Sequence, residues 1–400
     1  VRLFLAKVVT KAQAVFAPYA SAWFQPYIQT ILQDPEKSGG LSFHYMLRDI
    51  CITILQWKMP APPDNGLATK FVQHLIRVAG HGSNQVLRAN VDIIRLFLEN
   101  WKDGIALERK AILHYLVAGG RKPDMNNSDV KQKRLVGLQL LGAVVASGFP
   151  IYDPANDPTV LEHEIAEALF NNLTVRTKYI YEAAAELLGI VLKHRSESKE
   201  LILDQFIETR LTEVLKDLYN ASEFDRFLNI LDKCTVHFPK FLEGFGYLVV
   251  EQVPRLYGVY KSIALDILLR NPSCDGSLFN QILPSLPKVL THRDEIAQLK
   301  LLQLLAELLK EVSEDKISER VLPVLCDTFG VHENVDCRKL YYGILIFLHQ
   351  SKGMSGNQRL CQSLLLGLCD RSDVVKESLQ RFWHTQLSQV TSSSFYPFSQ

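Results

Sequence analysis

Paired cysteines, a signal-like start, long apolar runs and a large net charge are all missing from this 400-residue sequence, and each absence closes a class of function. The seven cysteines (Cys51, Cys234, Cys274, Cys326, Cys337, Cys361 and Cys369) are odd in number and irregularly spaced, with no C-x-x-C. Neither a disulfide framework nor a zinc ribbon fits that pattern. The longest apolar run, Gly137 to Phe149, is interrupted by Gln139 and falls short of the roughly 18 to 20 residues a membrane span requires. Forty-four Lys and Arg against 43 Asp and Glu leave +1, so no global field directs the chain to nucleic acid or to an anionic membrane. Only local patches could do that. Glycine (21) and proline (17) are too sparse for a linker-dominated or collagen-like chain. The first residue is Val1, in what reads as the middle of a helix, which suggests a fragment or a processed piece.

A 47% hydrophobic content with 22% charged residues describes an ordered chain. Its apolar residues follow the helical period: Val86, Ala89, Ile93, Ile94, Phe97 and Trp101 recur at i, i+3, i+4 and i+7. The same holds over Val130–Ala146, Val175–Leu192, Ser198–Tyr219, Glu295–Val312 and Val335–His349, giving about seventeen helical segments. Alternating strand patterns with hairpin dipeptides are essentially missing. Several helices open alike, with a capping side chain followed by Val: Asp129-Val130, Thr174-Val175, Asn334-Val335 and Asp373-Val374. The valines at 86, 130 and 175 lie 44 and 45 residues apart, and those at 335 and 374 lie 39 apart. A two-helix unit at that period is the mark of HEAT or armadillo repeats, since one helix pair cannot bury its own stripe and must lean on the next. The expected fold is an all-α solenoid of about eight helix pairs over residues 1–389, with a flexible Ser-rich tail at 390–400. Asp34–Gly40 and Met59–Asn65 read as insertions, Gly119–Ser128 as a polar loop, and Gly142 and Gly189 as sites of close helix packing.

Catalytic constellations reduce to decoys. His292-Arg293-Asp294 copies a kinase catalytic-loop triplet, but the position five residues on is Leu299, not Asn. Asp327-Thr328-Phe329-Gly330 has one residue too many for D-F-G, and Gly80-His81-Gly82 is followed by Gln85 where a third glycine belongs. His163-Glu164 lacks the second histidine of a zincin helix, Glu167 standing in its place. Cys234 and His237 form a solitary C-x-x-H, and the four tryptophans sit near helix ends, where core packing is the expected role. The one charge feature is a run of bases from Arg109 to Arg134. Within it Arg121, Lys122, Lys131, Lys133 and Arg134 are candidate phosphate contacts, with an ordinary solvated turn as the plainer reading. Three Ser/Thr-Gln pairs begin at Thr385, Ser388 and Ser399.

The wording of the helices says more than their period. RLFLAK (Arg2–Lys7), TILQW (Thr53–Trp57), NVDIIRLFLENWKD (Asn90–Asp103), GLQLLGAVVASGFPIYDP (Gly137–Pro154) and YEAAAELLG (Tyr181–Gly189) resemble the middle HEAT-repeat region of the DNA-dependent protein kinase catalytic subunit family. PYA (Pro18–Ala20), HYM (His44–Met46) and His292–Glu295 fit the same likeness, which thins after about Arg195. The resemblance implies a scaffold segment of a very large nuclear Ser/Thr kinase, recruited with other repair proteins by the Ku heterodimer to double-stranded DNA ends, acting in non-homologous end joining. It implies no membrane partner. The kinase domain, with its ATP and Mg, belongs far C-terminal to this region, so no catalytic, cofactor or metal residue is expected here. It also makes Thr385, Ser388 and Ser399 candidate phosphorylation sites. The alternative is a non-enzymatic HEAT-repeat adaptor or transport scaffold, and direct DNA binding by the basic run is a third reading.

Overall fold

A computed structural model describes residues 8, 11–33, 41–57, 65–80, 84–101, 105–120, 123–124, 126–152, 160–198, 201–270, 280, 282 and 294–393. Both expected insertions (34–40 and 59–64), the loop at 153–159, Ser277, Cys274 and Pro284 lie outside the described residues. The chain divides into two units, residues 1–226 and 227–400.

In the first unit a short lead-in precedes α1 (Ala20–Gln33), α2 (Leu41–Gln56), α3 (Asn65–Val78), α4 (Asn84–Asn100), α5 (Arg109–Leu116), α6 (Ser128–Ala146), α7 (Glu162–Leu173), α8 (Lys178–Ser198) and α9 (Leu201–Asn220). Each odd helix from α1 to α7 packs on the even helix that follows it. The odd helices stack in one row, α1 on α3 on α5 on α7, and the even ones in a second row, α2 on α4 on α6 on α8. This is the two-row order of a solenoid, and it follows from the stripes: Phe71, Phe97, Leu141, Leu188 and their helical neighbours are wholly buried between rows.

The second unit holds most of α10 (Phe224–His237), then α11 (Gly246–Gln252), α12 (Gly258–Arg270), α13 (Glu295–Leu308), α14 (Leu322–Phe329), α15 (Val335–Ser351), α16 (Gln358–Leu366) and α17 (Asp373–Ser393). Here α12, α13, α15 and α17 stack as one row, with α14 on α16 in the other. A short helix (Glu314–Lys316) runs into α14 through a π-helical turn at Ile317–Val321. The widened turn ends where Pro323, which has no N–H to give, stands second in α14. No strand occurs among the described residues.

Polar side chains join successive helices of a row at a separation of one repeat. Arg48 Nε reaches Asn90 Oδ1 at 2.6 Å across 42 positions, and Asn100 Nδ2 donates to the Leu55 carbonyl across 45. In the second unit Lys300 Nζ donates to Asp266 Oδ2 at 2.5 Å across 34 positions, and Arg359 to Asp327 Oδ1 across 32. The tightest of these joints is Arg338, whose Nε and Nη2 grip Asp370 at 2.8 and 3.0 Å while Nη1 donates to the carbonyls of His332 and Glu333. Both side chains are nearly excluded from water, at 8% and 3% exposure.

Three expectations need correction. Thr174 does not open a helix: its N–H donates to Phe170 O as α7 ends, and α8 starts after Thr177, whose carbonyl accepts from Ile180 and Tyr181. Arg226 Nη2 donates to the carbonyls of Leu173, Thr174 and Val175 there, at 3.2 to 3.5 Å, and satisfies the oxygens that the end of α7 leaves unpaired. Gly142 is not a close-packing site, since a Cβ there would meet only Leu187 at 3.9 Å. The tight approach is Gly137, where a Cβ would stand 2.8 Å from the Leu116 amide nitrogen on α5. α17 also continues to Ser393, into the stretch expected as tail, and residues 394–400 lie outside the described residues.

Two outcomes follow for stability. Leu141→Ala and Leu187→Ala, at positions 1% and 3% exposed, should each lower local stability by about 2 to 5 kcal/mol, read by hydrogen exchange in α6 or α8. At Asp370, burial alone would raise the carboxyl, but the Arg338 guanidinium and the Ser372 N–H outweigh it and hold it below the usual carboxylate range. A depressed acid contributes stability above its unfolded pKa and loses it as pH falls through the folded value. Asp370→Asn should therefore weaken the second unit at pH 7, by about 3 to 5 kcal/mol, and flatten its acid-unfolding profile. Denaturant titrations at pH 7 and pH 3 check both.

Candidate nucleic-acid interface

The basic run reaches the surface far less than its residue types suggest. Arg121 and Lys122 lie outside the described residues. Asn127 caps α6, its Oδ1 accepting from the Asp129 N–H at 3.0 Å, and this sets Asp129 four residues before Lys133. Lys133 Nζ closes on the Asp129 carboxylate at 2.7 Å, an i, i+4 pair that uses its charge locally. Lys131 is half-exposed and Lys110 exposed.

Arg134 and Arg109 are not on the surface at all. Arg134 is wholly buried. Its Nε donates to Ala118 O at 2.8 Å, Nη2 to Gly120 O at 2.6 Å and Nη1 to Asn172 Oδ1 at 3.1 Å. Asn172 Nδ2 in turn donates to the carbonyls of Leu116 and Ala168. The guanidinium thus sits in the carbonyl-rich C-terminal end of α5, where helix geometry leaves oxygens unpaired and the dipole favours a cation. Gly119 and Gly120, with φ of 77° and 74°, supply the left-handed turn that aims those carbonyls inward. Burial lowers the arginine's pKa from its ordinary value, but carbonyls, not an acid, hold it. Arg109 likewise donates through Nε and Nη2 to Pro150 O. As a phosphate contact Arg134 is thereby corrected to a structural cap.

The sequence carried a signal for this that residue type alone conceals. Arg134 occupies the same stripe as Gly137, Leu138 and Leu141, and Arg338 stands likewise before Tyr341, Tyr342 and Leu345. A base in the buried phase of a helix belongs to the core. Tyr115 was missed for a similar reason: its hydroxyl accepts from the Gly80 N–H at 3.1 Å and donates to the Arg77 carbonyl at 2.7 Å, closing the end of α3. Burial pushes that phenol up, with the Gly80 N–H acting the other way.

The remaining candidates are placed as follows. Thr385 and Ser388 sit on α17, and their hydroxyls donate back to the carbonyls of Arg381 and Thr385 at 2.9 Å. Ser399 lies outside the described residues, as do His292 and Arg293. Asp294 caps α13 through Ala297 N, Phe329 is buried inside α14, and Glu164 accepts from Leu161 N at the start of α7. Each decoy that can be placed has a structural role. Among the described residues no group of His, Cys, Asp and Glu is gathered to hold a metal, and no helix is long and apolar enough to cross a membrane. None of the six described cysteines is in a disulfide, and burial pushes the Cys337 thiol up to about 11. Trp101 packs 4.9 Å from Phe97, and Trp383 packs 5.1 Å from Phe382.

Arg134→Met should lower the melting temperature, from a loss of about 3 kcal/mol. It should leave any salt-dependent affinity of the chain for duplex DNA unchanged, as measured by the slope of log K against log salt.

Known families match this arrangement along nearly its whole length. A family model described as "DNA-PKcs, CC5" covers residues 69–393, and one described as "DNA-dependent protein kinase catalytic subunit, CC3" covers residues 1–63. The mouse DNA-dependent protein kinase catalytic subunit is 30% identical over 400 residues, 96% of this chain and 9% of its own length. The dog protein of the same name is 29% identical over 404 residues, and that of Dictyostelium discoideum 25% over 419, 98% of this chain. The chain thus spans about a tenth of the length of these relatives.

Proposed function

The chain belongs to the family of the DNA-dependent protein kinase catalytic subunit, and from that premise we propose that it is a non-catalytic scaffold segment of a DNA-activated nuclear Ser/Thr kinase that acts in end joining of double-strand breaks. In this reading the segment is a wall of stacked helix pairs that positions the DNA end, the Ku heterodimer and the kinase head. ATP and Mg belong to a kinase domain elsewhere in the full-length protein. The observation that carries the reading is the chain of side-chain bonds one repeat apart. Arg48–Asn90, Arg134–Asn172 and Arg338–Asp370 each tie a repeat only to its neighbour.

Such an array behaves as a series of stiff joints. Small rotations at each joint add along the row, so a partner held at one place biases a distant part when it binds two arrangements with different affinity. Within the basic run Arg109 and Arg134 are bonded inward, and Lys133 pairs with Asp129 on its own helix. That favours positioning over direct phosphate binding. Loosening one joint should therefore weaken transmission without touching phosphotransfer. In the full-length kinase, Leu141→Ala is expected to reduce stimulation by DNA ends several-fold while leaving basal peptide phosphorylation unchanged. Undiminished stimulation, with α6 shown to be loosened by hydrogen exchange, would refute the proposal.

A further inference from the structure

One ionisable side chain of the second unit is packed against rings instead of a polar partner. His349 lies in the last turn of α15, half-buried, with no hydrogen bond or ion pair among the described residues. Its imidazole stands edge-on to Phe382, with 5.1 Å between centroids and 87° between planes, and to Trp383 at 6.2 Å and 70°. Phe382 and Trp383 pack on each other at 5.1 Å and 64°. These three rings join the end of α15 to the middle of α17. Phe382 is the last buried residue of α17 among those described, and every side chain from His384 to Ser388 is exposed or half-buried. The cluster is therefore where the far half of α17 is fastened to the stack.

That setting suits a neutral ring better than a charged one. Burial holds the imidazole below its ordinary value of 6.5. The charged groups on the elements around the end of α15 are engaged elsewhere. On α17, Glu377 pairs with Arg381 at 3.7 Å, and His384 is exposed. Beyond α13, Lys310 closes on Glu307, and Lys352 donates to the Lys310 carbonyl. Arg359 of α16 pairs with Asp327 of α14, and Glu314 stands against Gly353. Trp383 adds a second constraint, because its Nε1 is buried with no acceptor. A neutral imidazole keeps a lone pair that an indole N–H can approach, whereas an imidazolium offers only donors. A cation on an aromatic face is attracted to it, but burial sets the direction here. A base with a depressed folded value binds fewer protons folded than unfolded, so the contact weakens as pH falls through about 6.5.

We propose that His349, Phe382 and Trp383 form a pH-sensitive latch, closed while the imidazole is neutral, whose protonation frees the far half of α17 from α15. The test is amide hydrogen exchange on the 400-residue chain at pH 7.5 and pH 5.5, on either side of the range in which histidine changes charge. Rates are expressed as protection factors, so that the intrinsic pH dependence of exchange cancels. Protection over residues 380–388 should fall several-fold at pH 5.5 while α12 and α13 keep theirs. His349→Phe retains a ring without the proton and should hold the protection at both pH values. If that variant fails to fold, His349→Gln, which does not titrate, should lower protection equally at both. His384→Gln should behave as the parent chain, since that side chain is exposed. Asp370 does not enter this window, because its carboxyl is held below the usual carboxylate range. Protection that stays constant between the two pH values, or rises on acidification, overturns the proposal. So does a fall that persists in full in His349→Phe or His349→Gln, or one that His384→Gln abolishes.

Discussion

A helix end is a cluster of carbonyl oxygens with no partner inside the helix, and a stack of short helices has one at every turn of the chain. Buried without donors, each cluster would cost more than the apolar stripe beside it returns. The structure meets this constraint by lending a donor from elsewhere in the array. Arg134 and Asn172 serve the end of α5, Tyr115 the end of α3, Arg226 the end of α7, and Arg338 the segment before α15. Because the donor sits in another helix, the helix end is satisfied only when that helix is in place. Packing and capping are thus the same event, and each pair depends on the next for polar as well as apolar reasons.

Much of this was legible in the sequence, and the parts that were not share a cause. The all-α character, the repeat length and the caps at Asn334 and Asp294 follow from periodicity and local chemistry, which act over a few residues. Thr174 misled because its neighbourhood looks like a helix start, while Arg226, more than fifty positions away, satisfies its carbonyl. The basic run misled because charge was read as exposure. Arg134 lies in phase with Gly137 and Leu141, and that phase outranks residue type once the carbonyls of Ala118 and Gly120 are there to receive it. Thr385 and Ser388 lie on α17, which Val375, Leu379 and Phe382 anchor.

The distribution of bonds also suits a structural role. Some inter-repeat pairs are exposed, such as Arg359 with Asp327, where solvent leaves little net contribution. A few are multiple and buried, with four donations from Arg338 and three from Arg134. Exposed contacts and buried ones therefore occur within the same unit. A row built this way yields at some joints and holds at others, which is what a support must do if it is to bend without coming apart.

The wide turn at Ile317–Val321 bears on how such a row can change its length. Ile317, Val321, Leu325 and Phe329 recur every fourth residue and are all wholly buried, a spacing that an unbroken α-helix would let drift around its axis. The broader turn takes up part of that drift and keeps the four on one side. It is a place where a surplus residue has been accommodated as slack. The same insertion inside α15 would swing everything beyond it by about 100° and carry Arg338 or its stripe out of register with Asp370. A single-residue insertion therefore costs more in a helix with a socketed arginine than in one that already holds a widened turn.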